Sequence, residues 1–347
     1  MSSTVSAIDA HIHQWNPFIT PRVTSGPAKV IRRAPYLGPA LVKVFPKAKR
    51  EFIGDPQYLL NPYLPADYLV DGQPAHVETI IHVEAGWHGK GPMGPVGETE
   101  WLSSLPFGQD GAPTLGAIVA YADPSTPQFA DLLDAHLRAN PLVHGIRCMG
   151  AHSDDPGVMN WAPKAHWLTQ PDFLCGFSAV AERGLSFDMW VYAHQLPDAS
   201  ILAREYPDTM FILDHYASPV GLLGPRGKHT GSSESARREI LRRWRDDISA
   251  LAELPNVVAK HSGIGMPVLG AGPQSREQLR DSVAPLITHL DQEFGPDRTF
   301  WSSNFPIDKP NVSLVNSIWI LREVLGDRFA AERMLRDNAR RVYRVPS

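Results

Sequence analysis

The chain has 347 residues, 43% hydrophobic and 20% charged, a composition typical of a globular protein with a large core. Its formal net charge of -4 argues against a nucleic-acid partner, which usually binds a basic surface. Two cysteines, Cys148 and Cys175, are too few for a disulfide framework. The first residues lack a signal-peptide pattern and no apolar run has the length of a membrane helix, so we expect a cytoplasmic protein without membrane contact.

Short β-branched runs alternate with helical patterns along the chain. We predict eight strands, at residues 5–9, 78–84, 114–121, 143–149, 185–190, 209–214, 256–260 and 299–302. Apolar residues with helical spacing lie between strands, as at 129–137 and 240–251, and again in the tail at 313–325 and 328–341. Strands that alternate with helices pair in parallel through right-handed crossovers. The pattern predicts a (β/α)8 TIM barrel that residues 1–347 form as one domain.

A long insertion after strand 1 is expected to distort this barrel. Residues 17–74 are rich in proline and in basic side chains, which are Arg22, Lys29, Arg32, Arg33, Lys43, Lys47, Lys49 and Arg50. A loop of this length on the C-terminal face is usually a lid or a binding element, and a basic lid favours an anionic substrate. A solvated insertion or a contact within a homo-oligomer is the alternative. The glycine-rich residues 216–235, after strand 6, are a second candidate for the mouth of the barrel.

Histidines and charged residues occur where the predicted strands end, which is where barrel enzymes carry catalytic groups. His11 and His13 would point the same way from strand 1, an arrangement that suits a divalent metal or a substrate carbonyl. The other candidates are Glu84, Arg147, Tyr192, His194, His215, Lys260, Asn304 and Asp308. Each has a structural alternative: Arg147 could brace a neighbouring strand, and Lys260 could simply pair with Glu84. Neither a P-loop nor a GxGxxG motif occurs, so we expect no nucleotide and no organic cofactor.

Several of these residues lie in motifs that run through nearly the whole chain. The motifs are Ile8-Asp-Ala-His-Ile-His13, His82-Val-Glu-Ala85, Gly145-Ile-Arg147, His194, Leu213-Asp-His215 with Pro219, residues 256–263, and Trp301-Ser-Ser-Asn-Phe-Pro306. In them the chain resembles the amidohydrolase superfamily, specifically the amidohydrolase-related group. That group contains sugar-lactone and pyrone-dicarboxylate lactonases and carboxymuconate-semialdehyde-type decarboxylases. Two departures stand out, because Asn304 replaces the group's usual strand-8 aspartate and Arg147 stands where two-metal relatives carry a carbamylated lysine. Both argue against a two-metal site.

The resemblance leaves two alternatives for the site. In one, a single divalent metal binds to His11, His13 and His194 and activates a water. Zinc is the metal that we expect first. In the other no metal binds, and His11 and His13 donate hydrogen bonds to the developing oxyanion. The general base is His215 or Asp308 in the first alternative, with His215 preferred because its unperturbed pKa lies near neutral pH.

Further roles follow from the same resemblance. With a metal bound, Asn304 would hold the water by a hydrogen bond. Arg147 and the basic lid are expected to bind a substrate carboxylate, with Glu84, Lys260 and Tyr192 as further substrate contacts.

We therefore expect a hydrolase that opens a lactone or similar cyclic ester of an anionic small molecule by attack of water. The alternatives are a metal-dependent non-oxidative decarboxylase, hydrolysis of an amide or another ester, and an altered barrel that binds a small molecule without turnover. The last alternative is motivated by Asn304, since an amide is a poor proton acceptor near neutral pH.

Overall fold

The structure is a computed structural model that describes residues 5–34, 36, 47–54 and 56–346. Its strands and helices, in chain order, are Ala7–Ile12 (β1), Ser25–Arg33 (α1), Lys47–Ile53 (α2), Pro65–Gly72 (α3), Val77–Val83 (β2), Val96–Ser103 (α4), Thr114–Tyr121 (β3), Phe129–Ala139 (α5), Val143–Arg147 (β4), Pro171–Glu182 (α6), Ser186–Met189 (β5), Leu196–Glu205 (α7), Phe211–Leu213 (β6), Glu234–Ala252 (α8), Val257–His261 (β7), Arg276–Phe294 (α9), Thr299–Trp301 (β8), Leu314–Leu325 (α10) and Asn338–Val342 (α11). Across these described ranges, no helix combines the length and apolar character needed to span a membrane.

The eight strands form one parallel sheet in which each strand pairs with the next, from β1 to β8. A parallel bridge between Ile12 and Phe305 joins β1 to the segment after β8, so the sheet is nearly closed. Helices surround it because each buries an apolar stripe: Trp244, Ile248 and Leu251 recur at helical spacing on α8 and are buried. The predicted (β/α)8 barrel is confirmed.

The first strand differs from its prediction, since β1 spans Ala7–Ile12 and not residues 5–9. All six of its residues are buried, because a barrel strand packs against side chains inside the barrel and helices outside it. Alternation of polar and apolar residues therefore could not mark the end of this strand. As a consequence His11 lies within β1, and His13 lies just beyond it.

The tail also differs in detail. The predicted helix at 328–341 is divided into a π-helical turn at Arg333–Asp337 and α11. The helix before it, α10, begins after Ser313, whose side chain accepts a hydrogen bond from the backbone N–H of Asn316.

The insertion after β1 folds against the barrel. Residues 17–74 contain α1, α2 and α3, and an antiparallel bridge between Trp15 and Tyr63 holds the two ends of the segment together. Lys43, one of its predicted basic residues, lies outside the described residues.

The second predicted mouth segment, residues 216–235, is joined to the loop after β4. The carboxylate of Asp155 accepts hydrogen bonds from the backbone N–H groups of Lys228, His229 and Thr230 at 2.8, 2.9 and 2.7 Å. The two loops therefore form one continuous structure at the C-terminal face.

Candidate active site

A cavity of about 230 Å³ lies at the C-terminal ends of the strands. Its polar groups on the barrel side are His13, Glu84, Arg147, His215 and Asn304, which end or follow β1, β2, β4, β6 and β8. Residues 22–24, 49, 52, 53 and 59 of the insertion also line the cavity, so this segment forms part of its wall. The structure thus brings five of the predicted site residues together.

Three other predicted residues lie beneath this cavity. His11, Lys260 and Asp308 are buried but do not line it. These three residues can therefore influence a bound molecule only through the side chains that line the cavity.

Two predicted residues lie outside the site. The hydroxyl of Tyr192 donates to the backbone carbonyl of Met159 at 2.6 Å, behind the cavity wall, so Tyr192 is not available as a substrate contact. His194 is exposed on the single helical turn Ala193–Gln195 and does not line the cavity. The predicted three-histidine metal site is therefore not assembled in this structure.

Beneath the cavity, the positive charge of Lys260 is balanced by two carboxylates. Its Nζ lies 2.5 Å from Asp188 Oδ2 and 3.0 Å from Asp214 Oδ1, and the hydroxyl of Tyr343 donates to Asp188 at 2.8 Å. Burial acts to raise the pKa of Asp214, but Lys260, His11 and His215 together outweigh it and hold the pKa well below its usual range. Lys260 therefore does not pair with Glu84, and its burial removes it from contact with a substrate.

Glu84 pairs instead with Arg147. The Nε and Nη2 atoms of Arg147 donate to Glu84 Oε1 at 2.9 and 2.7 Å, and Nη2 also donates to the Glu84 backbone carbonyl at 3.0 Å. Burial raises the pKa of Glu84 against the opposing charge of Arg147. Because Nε and Nη2 are occupied, Arg147 does not offer the bidentate contact expected for a substrate carboxylate. Its remaining nitrogen, Nη1, lies 3.3 Å from His11 Nε2.

The backbone of β2 decides the tautomer of His13. The Nδ1 atom lies 2.8 Å from the carbonyl oxygen of Val83 and 3.1 Å from that of Glu84. Since a carbonyl only accepts, Nδ1 carries the proton. Burial lowers the pKa of His13 well below its usual range, and Arg147 lowers it further, so the ring is neutral and Nε2 holds a lone pair. His13 is thus an acceptor in the cavity and not the expected donor to an oxyanion.

His215 begins a run of left-handed backbone at residues 215–218, with φ values of 53°, 55°, 53° and 34°. This conformation costs a non-glycine residue about 1–2 kcal/mol and is concentrated at functional sites. The imidazole lies with its centroid 4.5 Å from that of His11, and its Nδ1 lies 2.8 Å from Ser262 Oγ. Burial lowers the pKa of His215 to about 3, so the ring is neutral at pH 7. Gly263 leaves room for it, because a Cβ there would lie 2.6 Å from His215 Cβ.

Asn304 takes its orientation from Asp308. Its Nδ2 donates to Asp308 Oδ1 at 2.9 Å, while Asp308 Oδ2 accepts the backbone N–H of Gly265 at 3.0 Å. The amide oxygen of Asn304 is therefore the atom left for the cavity. Burial raises the pKa of Asp308 to about 7. Since Asp308 lies behind Asn304, it is not positioned to take a proton from a water in the cavity.

His11, Asp214 and His215 each offer a ligand atom within 4.8 Å of the others, a group that could hold a metal ion. The surrounding charges oppose this. Lys260 Nζ lies 3.1 Å from His11 Nδ1 and Arg147 Nη1 lies 3.3 Å from its Nε2, so a cationic group lies next to each ring nitrogen, and Nδ1 also lies 3.3 Å from Asp214 Oδ1. The two oxygens of Asp214 face the same two groups at 3.0 and 3.5 Å. A divalent ion would lie against two permanent positive charges, so the residues as arranged do not fit one.

The sequence alone indicates no specific role for Asp214 or Arg22. Asp214 lies at the end of a strand that is otherwise apolar, and a charge in such a place requires a partner. Arg22 belongs to the predicted basic lid, and its guanidinium lies 4.6 Å from the centre of the Trp15 ring. Its Nε has no hydrogen-bond partner within the described part of the chain. Only the structure distinguishes it from the other basic residues of the insertion.

The nearly closed barrel with a histidine-lined cavity at its C-terminal face places this chain among the (β/α)8-barrel enzymes. Residues 8–345 match the model of the amidohydrolase family Amidohydro_2, and the chain belongs to this family. The resemblance inferred from its motifs is confirmed.

Three known proteins are similar over most of the chain. It is 30% identical over 348 residues to the uncharacterized protein y4mH of Sinorhizobium fredii, covering 99% of this chain and 100% of that protein. It is 26% identical over 245 residues to the L-fucono-1,5-lactonase of Burkholderia multivorans, covering 70% of this chain and 74% of the lactonase. A crystal structure of a Burkholderia multivorans amidohydrolase with bound zinc has a TM-score of 0.70 at 21% identity, over 98% of this chain and 99% of that chain. At this identity the structural similarity shows the fold alone.

Proposed function

We propose that the protein is a lactonase that opens a lactone or similar cyclic ester of an anionic small molecule by attack of water. The observation that carries the proposal is the pair of neutral histidines, His13 and His215, which line one cavity together with cationic side chains. A neutral imidazole can accept a proton from water at pH 7, and the cations favour a negatively charged substrate. The 26% identity to a lactonase supports the same class of reaction.

In this proposal His215 is the general base because of its position in the cavity. Burial lowers its pKa to about 3, so the pKa near neutral pH expected from the sequence is not the reason for this role. The proposal assigns the ring proton to Nδ1, which lies 2.8 Å from Ser262 Oγ, so that Nε2 holds the lone pair that takes the proton from the water. One hydrogen of the water points to Nε2 of His215, and the other is accepted by Nε2 of His13 or by the amide oxygen of Asn304. The water oxygen bonds to the ester carbonyl carbon as its proton moves to His215. The ring C–O bond then breaks, and the leaving alkoxide takes that proton to give a hydroxy acid.

Two arginines have separate electrostatic roles in the proposal. Arg147 is fixed by Glu84 and supplies a positive charge beside the developing oxyanion. Arg22 is the proposed contact for the substrate carboxylate, because it lines the cavity, is partly exposed and lies against Trp15. Lys49 lines the same cavity and adds to its positive charge. All the side chains proposed to contact the substrate in this way belong to one copy of the chain.

The proposal is tested by measuring acid release from a panel of lactones with wild type, His215→Asn and His194→Asn. His194 is the matched control, because it is an exposed histidine outside the cavity. We expect His215→Asn to lower kcat by about 100-fold or more, since a positioned base contributes about that much. His194→Asn should leave kcat unchanged. Equal turnover by wild type and His215→Asn would refute the role of the histidine, and binding of lactones without turnover would favour a binding protein.

A further inference from the structure

Three aromatic side chains from separate parts of the chain meet at the cavity. Phe52 lies on α2, Trp161 lies in the loop after β4, and Trp190 directly follows β5. The ring centroids are 5.2 Å apart for Phe52 and Trp161, 5.4 Å for Phe52 and Trp190, and 5.5 Å for the two tryptophans, all edge to face. We call this group the aromatic wall. The cavity lining next to it is also apolar and includes Met149, Met159 and Met266.

The aromatic wall is held rigidly but is not closed off. The indole N–H of Trp190 donates to Ser218 Oγ at 3.0 Å, and Ser218 belongs to the left-handed run that begins at His215. Phe52 is buried, while Trp161 keeps part of its surface exposed. The wall therefore presents fixed apolar surface to the cavity, in a position tied to the proposed general base.

Several polar groups of the site lie on the other side of the cavity. His13 and Glu84 follow β1 and β2, whereas Trp190 follows β5, which is diametrically opposite β1 in a barrel with this strand order. Arg22 lies against Trp15, just beyond β1. A molecule that fills the cavity therefore meets polar groups on the side of β1 and β2 and the aromatic wall on the side of β5, with Lys49 on the same helix as Phe52.

We infer that the aromatic wall binds a flat apolar part of the substrate, so that aryl-substituted or alkyl-substituted lactones are preferred over polyhydroxylated sugar lactones. This inference rests on the proposed lactonase function and adds the class of substrate to it. Aromatic faces and edges attract flat apolar groups, whereas a sugar hydroxyl against carbon loses its hydrogen bonds to water without replacement. One unmatched hydroxyl in a hydrophobic pocket lowers kcat/KM by up to about 100-fold.

The test compares three neutral lactones, so that the carboxylate contact does not enter. These are dihydrocoumarin, which has a fused aromatic ring, δ-valerolactone, which has no substituent, and L-fucono-1,5-lactone. Dihydrocoumarin has the better leaving group, a phenolate, so each kcat/KM is first divided by the rate constant for hydrolysis of that lactone by hydroxide. We expect the corrected value for dihydrocoumarin to exceed that for the sugar lactone by about 100-fold or more. Trp161→Leu should lower kcat/KM for dihydrocoumarin about tenfold, through KM, and leave δ-valerolactone unchanged. Trp319→Leu, a partly buried tryptophan on α10 outside the cavity, is the matched control and should change neither.

The inference and the proposed function fail in different ways. A higher corrected kcat/KM for L-fucono-1,5-lactone than for dihydrocoumarin overturns the inference and leaves the lactonase proposal intact. If no lactone is hydrolysed, the lactonase proposal fails, and calorimetric binding of 2-tetralone, the ketone analogue of dihydrocoumarin, still tests the aromatic wall. Binding that is weakened in Trp161→Leu and kept in Trp319→Leu supports it. The absence of binding to wild type overturns it.

Discussion

Ionisation of Asp308 is expected to lower the stability of the protein as the pH rises, in the direction opposite to buried histidines such as His215, whose pKa is lowered. The side chain is buried and its pKa is raised by burial to about 7, against about 4 for an unfolded chain. The unfolded state therefore releases this proton at lower pH than the folded state, and the free energy of unfolding falls as the pH rises between the two values. The full difference of about three pH units corresponds to about 4 kcal/mol, of which about 2–3 kcal/mol falls between about pH 5 and pH 8.

The substitution Asp308→Asn removes this ionisation. Between about pH 5 and pH 8, the free energy of unfolding should fall by about 2–3 kcal/mol less in the variant than in wild type. A stability difference that is the same at every pH, introduced by the amide, does not affect this comparison. Guanidinium unfolding across that interval measures both slopes, with Asp208→Asn, an exposed aspartate, as the control for the same chemical change. Some pH dependence should remain in the variant, because burial also raises the pKa of Asp9 to about 6, which acts in the same direction, and lowers that of His215 to about 3, which acts in the opposite direction. Parallel curves for wild type and Asp308→Asn would refute the reasoning.

Three more predictions concern the cavity and the charges beneath it. Glu84→Gln leaves the buried guanidinium of Arg147 without its main partner and should cost about 3–5 kcal/mol in guanidinium unfolding, so an unchanged midpoint would contradict the importance of the pair. Gly263→Ala places a methyl group 2.6 Å from His215 Cβ and should lower kcat more than it changes KM, whereas full activity would show that the imidazole needs no such space. Metal analysis of protein purified without chelator should find less than one metal ion per chain and activity that survives EDTA. Zinc that is removed together with activity would overturn the charge argument.

Much of the fold could be predicted from local patterns. Eight β-branched runs separated by amphipathic helices predict parallel strands, and the constraint of right-handed crossovers then leaves the barrel as the simplest closure. The end of β1 could not be predicted in this way, because both faces of a barrel strand are buried and the polarity of Asp9 and His11 gives no boundary.

The candidate site was predicted in part. The carboxyl ends of parallel strands meet at one face, so Glu84, Arg147, His215 and Asn304 were expected near one another, and they line one cavity. His194 also follows a strand but does not join these residues, because the chain turns away after β5 and leaves that side chain exposed. Proximity to a strand end selects candidates, but it does not say which side chains point into the cavity.

Local sequence patterns predict the strands and helices of this protein, their order, and the face of the barrel at which its functional side chains lie. The ion-pair and hydrogen-bond partners of these side chains are known only from the tertiary structure. Glu84 pairs with Arg147, Lys260 lies between two aspartates, and two backbone carbonyls of β2 decide which nitrogen of His13 is protonated. Helix and strand formation depend on spacings within a few residues, which can be read along the chain. Ion pairs, tautomers and cavity walls depend on the directions of side chains from distant segments, which no local spacing specifies.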